Sequence, residues 1–111
     1  MVMGFIYNVT FVMASDAEGL FLEWTRGNLL PALFNAESPA RNAALRNVIE
    51  AGGEKPAEDH GVSIALHAEF DDEDNARKWH DVYLLPQLGK YTSTFGPDAV
   101  YFVTLLESLP L

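Results

Sequence analysis

The sequence predicts an α+β domain of the ferredoxin-like type, βαββαβ, in which a four-stranded antiparallel sheet carries two helices on one face. The order of strand and helix patterns predicts it, because two βαβ halves of similar length follow one another and are joined by a hairpin. The composition agrees, since 111 residues with 49% apolar side chains can bury one core without cross-links. We expect residues 1–111 to form a single domain.

Composition and charge exclude several classes of partner and site. The formal net charge of -9 disfavours nucleic acid and anionic membrane surfaces as partners, because both are negatively charged. The chain has no cysteine, which excludes disulfides and thiolate chemistry. The apolar run at residues 5–13 is too short to span a membrane and follows no basic residue, so neither a membrane helix nor a signal peptide is predicted. We therefore expect a cytoplasmic protein.

The run FIYNVTFVM, residues 5–13, predicts the first strand because it is rich in β-branched and aromatic residues. Strand alternation puts a wholly apolar or aromatic set on the core face: Phe5, Tyr7, Val9, Phe11 and Met13. The opposite face has mixed polarity and consists of Ile6, Asn8, Thr10 and Val12.

The first helix is predicted to begin at Ser15, where Glu18 three residues later would complete a capping box. Pro31 is expected to kink or end this helix, with a short segment at 32–34 continuing at an angle. Apolar side chains follow the start at helical spacing: Leu20, Phe21 and Trp24.

The middle of the chain supplies the central hairpin. Residues 41–50 have helical propensity, but the fold requires a fourth strand, and tertiary context overrides propensity; we predict a strand. Residues 51–61 contain three Gly, one Pro and four charged residues and predict a flexible connection. Residues 62–70 alternate most cleanly and predict a half-buried strand. Its outer face consists of Ser63, Ala65, His67 and Glu69.

The second half repeats the pattern of the first. Residues 71–75 form an acidic helix start, which suits the positive end of the helix dipole. Pro86 is expected to stop or bend this helix and Gly89 to end its continuation. Residues 99–107 predict the last strand. The apolar stripe of the helix is Ala76, Trp79, Val82 and Tyr83.

Two helices cover one side of the sheet, so the other side is either exposed to solvent or covered by a partner. The two central strands place small, hydroxyl and amide groups and one histidine on this uncovered side. Such a semi-polar face predicts a homodimer in which two sheets stack into an α+β barrel, with an unidentified small molecule between them. The candidate ligand or interface residues are Asn8, Thr10, Ser63, His67 and Glu69.

Each candidate also has a purely structural interpretation. Asn8 could orient a ligand carbonyl or peroxide, or be a satisfied amide at a dimer interface. His67 could act as a general base with Glu69 on the same face, or be a dimer-contact histidine. No histidine pair has metal-ligand spacing, and the acidic run at 71–74 lacks the glycine of a calcium loop, so no metal or other cofactor is predicted.

Five segments together resemble the DUF4286 family of small, mostly bacterial proteins of unknown function. They cover nearly the whole chain: FIYNVTFVM, the first helix running into NLLPALF, RNAALRNVIEAGG, VSIALHAEF and FGPDAVYFVTLLE. The resemblance implies a ferredoxin-like fold and a homodimer, and it names no substrate. Members often carry a histidine just before the hydrophobic–Pro step of the first helix, where this chain has Asn28.

The alternative function is a small monooxygenase of the antibiotic-biosynthesis-monooxygenase type, either cofactor-independent or haem-dependent. That superfamily shares the dimeric α+β barrel, and its haem-degrading members use an Asn, a Trp and a His. This chain has Asn8 on its first strand and Trp79 and His80 on its second helix. Because Trp79 and His80 are adjacent, they are expected to point in different directions. No dinucleotide, P-loop or hydrolase motif is present.

Overall fold

The computed structural model describes residues 4–49 and 61–110 and confirms the predicted ferredoxin-like order of elements. The sheet has the strand order β2-β3-β1-β4, and all neighbouring strands are antiparallel. β1 and β3 are therefore the central pair. The strands are β1 (Phe5–Met13), β2 (Arg41–Asn47), β3 (Val62–Phe70) and β4 (Val100–Glu107).

Two helical arms pack on one face of the sheet, and each arm consists of two α-helices joined by a five-residue π-turn. The first arm, preceded by a 3-10 turn at Ser15–Ala17, contains α1 (Glu18–Trp24), the π-turn Thr25–Leu29 and α2 (Leu30–Leu33). The second arm contains α3 (Glu73–Trp79), the π-turn His80–Leu84 and α4 (Leu85–Phe95).

The π-turns explain how both arms continue through a proline. Each ends directly before a Leu-Pro step, so Pro31 and Pro86 occupy the first turn of a new α-helix. The missing proline N–H matters least there, because first-turn N–H groups have no partner within an α-helix. Of the two expected effects of each proline, a bend or an end, the end does not occur, because the chain continues as α2 and α4. Gly89 does not end the second arm either; that arm ends before Gly96, whose φ is 87°.

Both helical arms begin where the sequence predicts, but only the second has a side-chain cap. Asp72 caps α3 by accepting a 2.7 Å hydrogen bond from the backbone N–H of Asn75. The capping box predicted from Ser15 and Glu18 is wrong, because neither the 3-10 turn nor α1 has a side-chain cap.

The core lies between the sheet and the arms, on the face predicted from strand alternation. Within the predicted core face of β1, Phe5 is half-buried and the remaining residues are buried. Trp79, Phe21 and Tyr91 are the large aromatic residues that the arms add, each fully buried. Phe21 and Tyr91 pack on each other and on Phe11, whereas Trp79 packs on Tyr7 and Phe70.

The strand predicted at residues 41–50 is present as β2, which spans Arg41–Asn47. It carries an irregularity between Arg41 and Ala44, where Asn42 adopts a φ of 54°. One extra residue on a strand bends it and interrupts the regular alternation of side chains. The end of the predicted strand and the connection at 51–60, with His60, lie outside the described residues.

Candidate functional site

The open face is the side of the sheet that faces away from the helical arms, and a polar row crosses its middle. Asn8 of β1 lies directly opposite His67 of β3 and, on the other side, opposite Thr104 of β4. Directly opposed residues of neighbouring strands point to the same face, with Cβ atoms about 4.5–5.5 Å apart. An amide, an imidazole and a hydroxyl therefore stand side by side on three strands.

Longer polar contacts extend this row along the strands. The Asn8 amide lies 3.5 Å from the Thr10 hydroxyl. His67 Nε2 lies 3.7 Å from Glu69 Oε2, so these two side chains lean together along β3. Asn42 of β2 donates a 3.3 Å hydrogen bond to Glu69 Oε1. Glu69 is thus positioned from β2 and is available to orient the imidazole.

The β4 side of the open face is apolar. Val100, Phe102 and Leu106 have exposed fractions of 44%, 62% and 47%, and we call these three residues the β4 strip. Val100 lies opposite Val12, and Leu106 lies opposite Ile6, so the strip continues onto β1. An exposed sheet surface of this kind is typical of an interaction site rather than of a solvated face.

The β2 side of the open face is charged. Arg46 lies opposite Ala65 of β3 and therefore faces the same side as His67. Arg41, opposite Glu69, forms a salt bridge with Asp71 at the end of β3. The open face therefore changes from apolar at β4, through the polar row, to basic at β2.

The structure brings together four of the five candidates predicted on this face. Asn8 and His67 are direct neighbours, and Thr10 and Glu69 contact them. Ser63 lies opposite Val12, four residues from His67 along β3, and therefore stands at the end of the face. Sequence reasoning missed Thr104 and the β4 strip. The alternation within residues 99–107 could have identified these residues only together with the register between β1 and β4.

Trp79 and His80, the candidates from the second arm, lie on the opposite side of the sheet from Asn8. Trp79 is fully buried, and its indole N–H donates a 2.9 Å hydrogen bond to the carbonyl of Leu33. His80 stacks on Tyr7 with ring centroids 5.5 Å apart, and its Nδ1 lies 2.9 Å from Asp81 Oδ1. Trp79 also contacts the Tyr7 ring, so both neighbours touch this tyrosine while their polar atoms have different partners.

The described stretches contain neither a metal-binding cluster nor a membrane-spanning helix. Across residues 4–49 and 61–110, no three histidine, aspartate or glutamate side chains lie close enough together to hold a metal ion. No helix in these stretches is long and apolar enough to cross a membrane. The open face itself offers hydrogen-bonding groups, an imidazole and a carboxylate.

Two comparisons concern the sequence. The profile of the family described as "Domain of unknown function (DUF4286)" matches residues 4–109. None of the curated proteins matches the chain.

Three solved structures illustrate the likeness in fold. A protein of unknown function from Nitrosomonas europaea superposes with a TM-score of 0.61 at 15% identity, over 100% of this chain and 95% of its own. A dimeric protein of unknown function and ferredoxin-like fold from Bacteroides fragilis gives 0.54 at 17% identity, over 94% and 96%. A monooxygenase from Streptomyces coelicolor, in complex with nanaomycin D, gives 0.53 at 18% identity, over 98% and 94%.

Proposed function

The chain belongs to the DUF4286 family, and we propose that it is a homodimer whose open faces stack and hold a small molecule between them. The observation that carries this proposal is the β4 strip, in which Phe102 is 62% exposed beside Val100 and Leu106. Apolar side chains concentrated on one uncovered sheet face are stabilised when a second surface removes them from water. A second copy of the same face is the partner that supplies matching geometry.

The dimensions of the open face fit such a dimer. Four strands about 4.8 Å apart and about 30 Å long present a flat area of roughly 500–600 Å² per protomer. Specific interfaces begin at about 600 Å² per partner, so the whole face has to participate. The similarity in fold to the Bacteroides fragilis protein, which is described as dimeric, supports this arrangement.

The polar row is the reason for proposing a bound molecule. Asn8, His67 and Thr104 would be removed from water in the middle of the stacked sheets, and buried polar groups need hydrogen-bond partners. A ligand with an apolar body and carbonyl or hydroxyl oxygens would contact the β4 strip and supply those partners. The amide of Asn8 would orient an oxygen atom, and His67 would accept or donate a proton.

The second candidate function is a cofactor-independent monooxygenase, and the fold shared with the Streptomyces coelicolor monooxygenase favours it. In that function His67, oriented by Glu69 at 3.7 Å, would be the base that removes a proton from the substrate. The haem-dependent version requires Asn8, Trp79 and His80 to converge, whereas the sheet separates Asn8 from the other two. A haem titration followed at the Soret band tests that version; no binding at micromolar protein removes it.

Native mass spectrometry of the purified protein, combined with light scattering, tests the dimer and its ligand. We expect a dimer, and extra mass on the dimer would reveal a bound molecule and give its mass. Phe102→Glu places a charge in the β4 strip and is expected to give monomers. Val82→Glu is the matched control, because Val82 is 56% exposed but belongs to the second helical arm. A monomeric wild-type protein, or a dimeric Phe102→Glu variant, would refute the interface.

A further inference from the structure

A short sequence repeat underlies the two helical arms. The segment WTRGNLLP at 24–31 and the segment WHDVYLLP at 79–86 share a tryptophan and a Leu-Leu-Pro step at the same spacing. In both, the tryptophan ends an α-helix and a π-turn fills the interval before the Leu-Pro step. The two copies can therefore be compared position by position.

The two repeated tryptophans have different surroundings. Trp79 is fully buried, and Leu33 accepts the hydrogen bond from its indole N–H. Trp24 is half-buried, and no hydrogen-bond acceptor for its indole N–H lies within the described part of the chain. Its ring contacts Phe95 edge to face, with centroids 5.7 Å apart. Trp79 is thus a core residue, whereas Trp24 keeps part of its ring at the surface.

The exposed part of Trp24 lines a cleft between the first arm and the end of α4. The cleft has a volume of about 470 Å³, within the range of small-molecule sites. Leu20, exposed to 64%, adds an apolar side chain to the two aromatic rings. The complete lining is Leu20, Glu23, Trp24, Gly27, Asn28, Thr94 and Phe95.

Gly27 keeps this cleft open although the fold does not require a glycine there. A Cβ atom added at Gly27 would have no atom within 4 Å, and the backbone there is not in the left-handed region. Glycine is also one of the poorest helix formers, so its presence within a helical arm has a cost. The equivalent residue of the second repeat is Val82. The empty space next to Gly27 is what a bound molecule would use.

The charge of the lining defines the class of ligand. Glu23 is the one ionisable side chain in the cleft lining, and no ion pair to it occurs among the described residues. Aromatic faces such as that of Trp24 attract cations, and the net charge of -9 raises the local concentration of cations. We propose that the cleft binds a small organic cation, an ammonium group on an apolar body, with Glu23 and Trp24 holding the charge.

Titration with three probes of similar size tests the charge requirement: 2-phenylethylammonium, neutral 3-phenyl-1-propanol and 3-phenylpropanoate. We expect the ammonium ion to bind and to shift one of the two indole N–H signals in proton–nitrogen NMR spectra. Glu23→Gln should weaken this binding roughly two- to fivefold, as expected for an exposed ion pair. Equal binding of the neutral alcohol would refute the proposal. So would the absence of ammonium-ion binding up to about 10 mM, a concentration at which even weak sites are occupied.

Variants of two glycines test the location. Gly27→Leu fills the cleft and is expected to abolish binding of 2-phenylethylammonium, and Gly27→Ala should weaken it while favouring the helix. Gly89→Leu is the control, because a side chain at Gly89 also enters open space but lies outside the cleft lining. Unchanged binding by both Gly27 variants would place the cation elsewhere. This site is separate from the open face, so its test does not depend on dimer formation.

Discussion

The indole N–H of Trp79 donates a 2.9 Å hydrogen bond to the backbone carbonyl of Leu33, 46 residues earlier in the chain. Leu33 is the last residue of α2 and Trp79 the last residue of α3, and both are fully buried. Carbonyls in the last turn of a helix have no partner within that helix. The tryptophan supplies one partner and the Ser38 hydroxyl, at 2.6 Å, supplies another. The indole bond joins the end of the first arm to the middle of the second arm.

Replacing Trp79 by phenylalanine should therefore destabilise the domain by about 2–4 kcal/mol, because it leaves a cavity and removes one of the two donors to the Leu33 carbonyl. Urea unfolding followed by circular dichroism measures this loss. Trp24→Phe is the matched control and should cost less than about 1.5 kcal/mol, since Trp24 is half-buried. Equal losses for the two variants would contradict the role assigned to the Trp79–Leu33 bond.

The ionisation of the Tyr91 hydroxyl should make the stability of the domain depend on pH in the alkaline range. Its hydroxyl lies 2.8 Å from the carbonyl oxygen of Val12 and 3.3 Å from that of Val100, and burial raises its pKa to about 12. The folded state thus holds the Tyr91 proton more tightly than the unfolded state, whose tyrosine pKa is about 10. Stability from this group is complete below pH ~10 and is lost as the pH rises towards ~12, by up to about 2–3 kcal/mol.

The measurement is the free energy of unfolding of wild type and Tyr91→Phe between pH 8 and pH 12. We expect a shallower decline above pH ~10 in the variant. Tyr83→Phe is the control because the Tyr83 hydroxyl makes only a 3.5 Å contact at the surface. Parallel curves for wild type and Tyr91→Phe would show that this hydroxyl does not titrate with folding.

Strand alternation was the feature of the fold that the sequence displayed best. Residues 5–13 and 62–70 bury every second side chain, so a period of two is visible in both. The strand at 41–50 has no such pattern, and its prediction depended on the topology instead. A continuation past each proline was predicted, but the π-turns before them were not, because a π-turn has no simple residue signature.

The candidate site was predicted for the central strands and missed at β4. Both alternating sets of residues 99–107 contain large apolar side chains, such as Tyr101 and Phe102. Composition therefore does not show which set faces away from the arms. The register decides it, since Phe102 lies opposite Thr10 and Tyr101 opposite Phe11. That information is a property of the assembled sheet.

Replacement by alanine should change the stability of the domain in opposite directions at two glycines. Gly61 has a φ of 75°, and an added Cβ would lie 2.1 Å from the carbonyl oxygen of Met13, so Gly61→Ala should destabilise by more than about 2 kcal/mol. Gly89 lies within α4 and faces open space, so Gly89→Ala should stabilise by about 1 kcal/mol. Thermal unfolding distinguishes the two; a neutral Gly61→Ala variant would show that the backbone there relaxes.

Removing the hydroxyl of Thr25 is expected to stabilise the domain or leave its stability unchanged. Its Oγ1 is buried without a hydrogen-bond partner in the described stretches, at the start of the first π-turn. An unpaired buried hydroxyl costs about 1–3 kcal/mol, so the similarly shaped Thr25→Val should be as stable as wild type or about 1 kcal/mol more stable. Thr25→Ser keeps the hydroxyl, loses a buried methyl group and should be destabilised by about 1 kcal/mol. The reverse order would reveal a partner for the hydroxyl.

The proposed dimer should become tighter as salt is added. Each protomer carries a formal net charge of -9, so two copies repel, whereas the β4 strip attracts them through apolar contact. Raising the ionic strength from 10 to 100 mM shortens the screening length from about 30 to about 10 Å and weakens the repulsion. The dimer dissociation constant, measured by analytical ultracentrifugation, should therefore fall severalfold. A dissociation constant that rises with salt would mean that ion pairs, such as contacts from Arg46, hold the copies together instead.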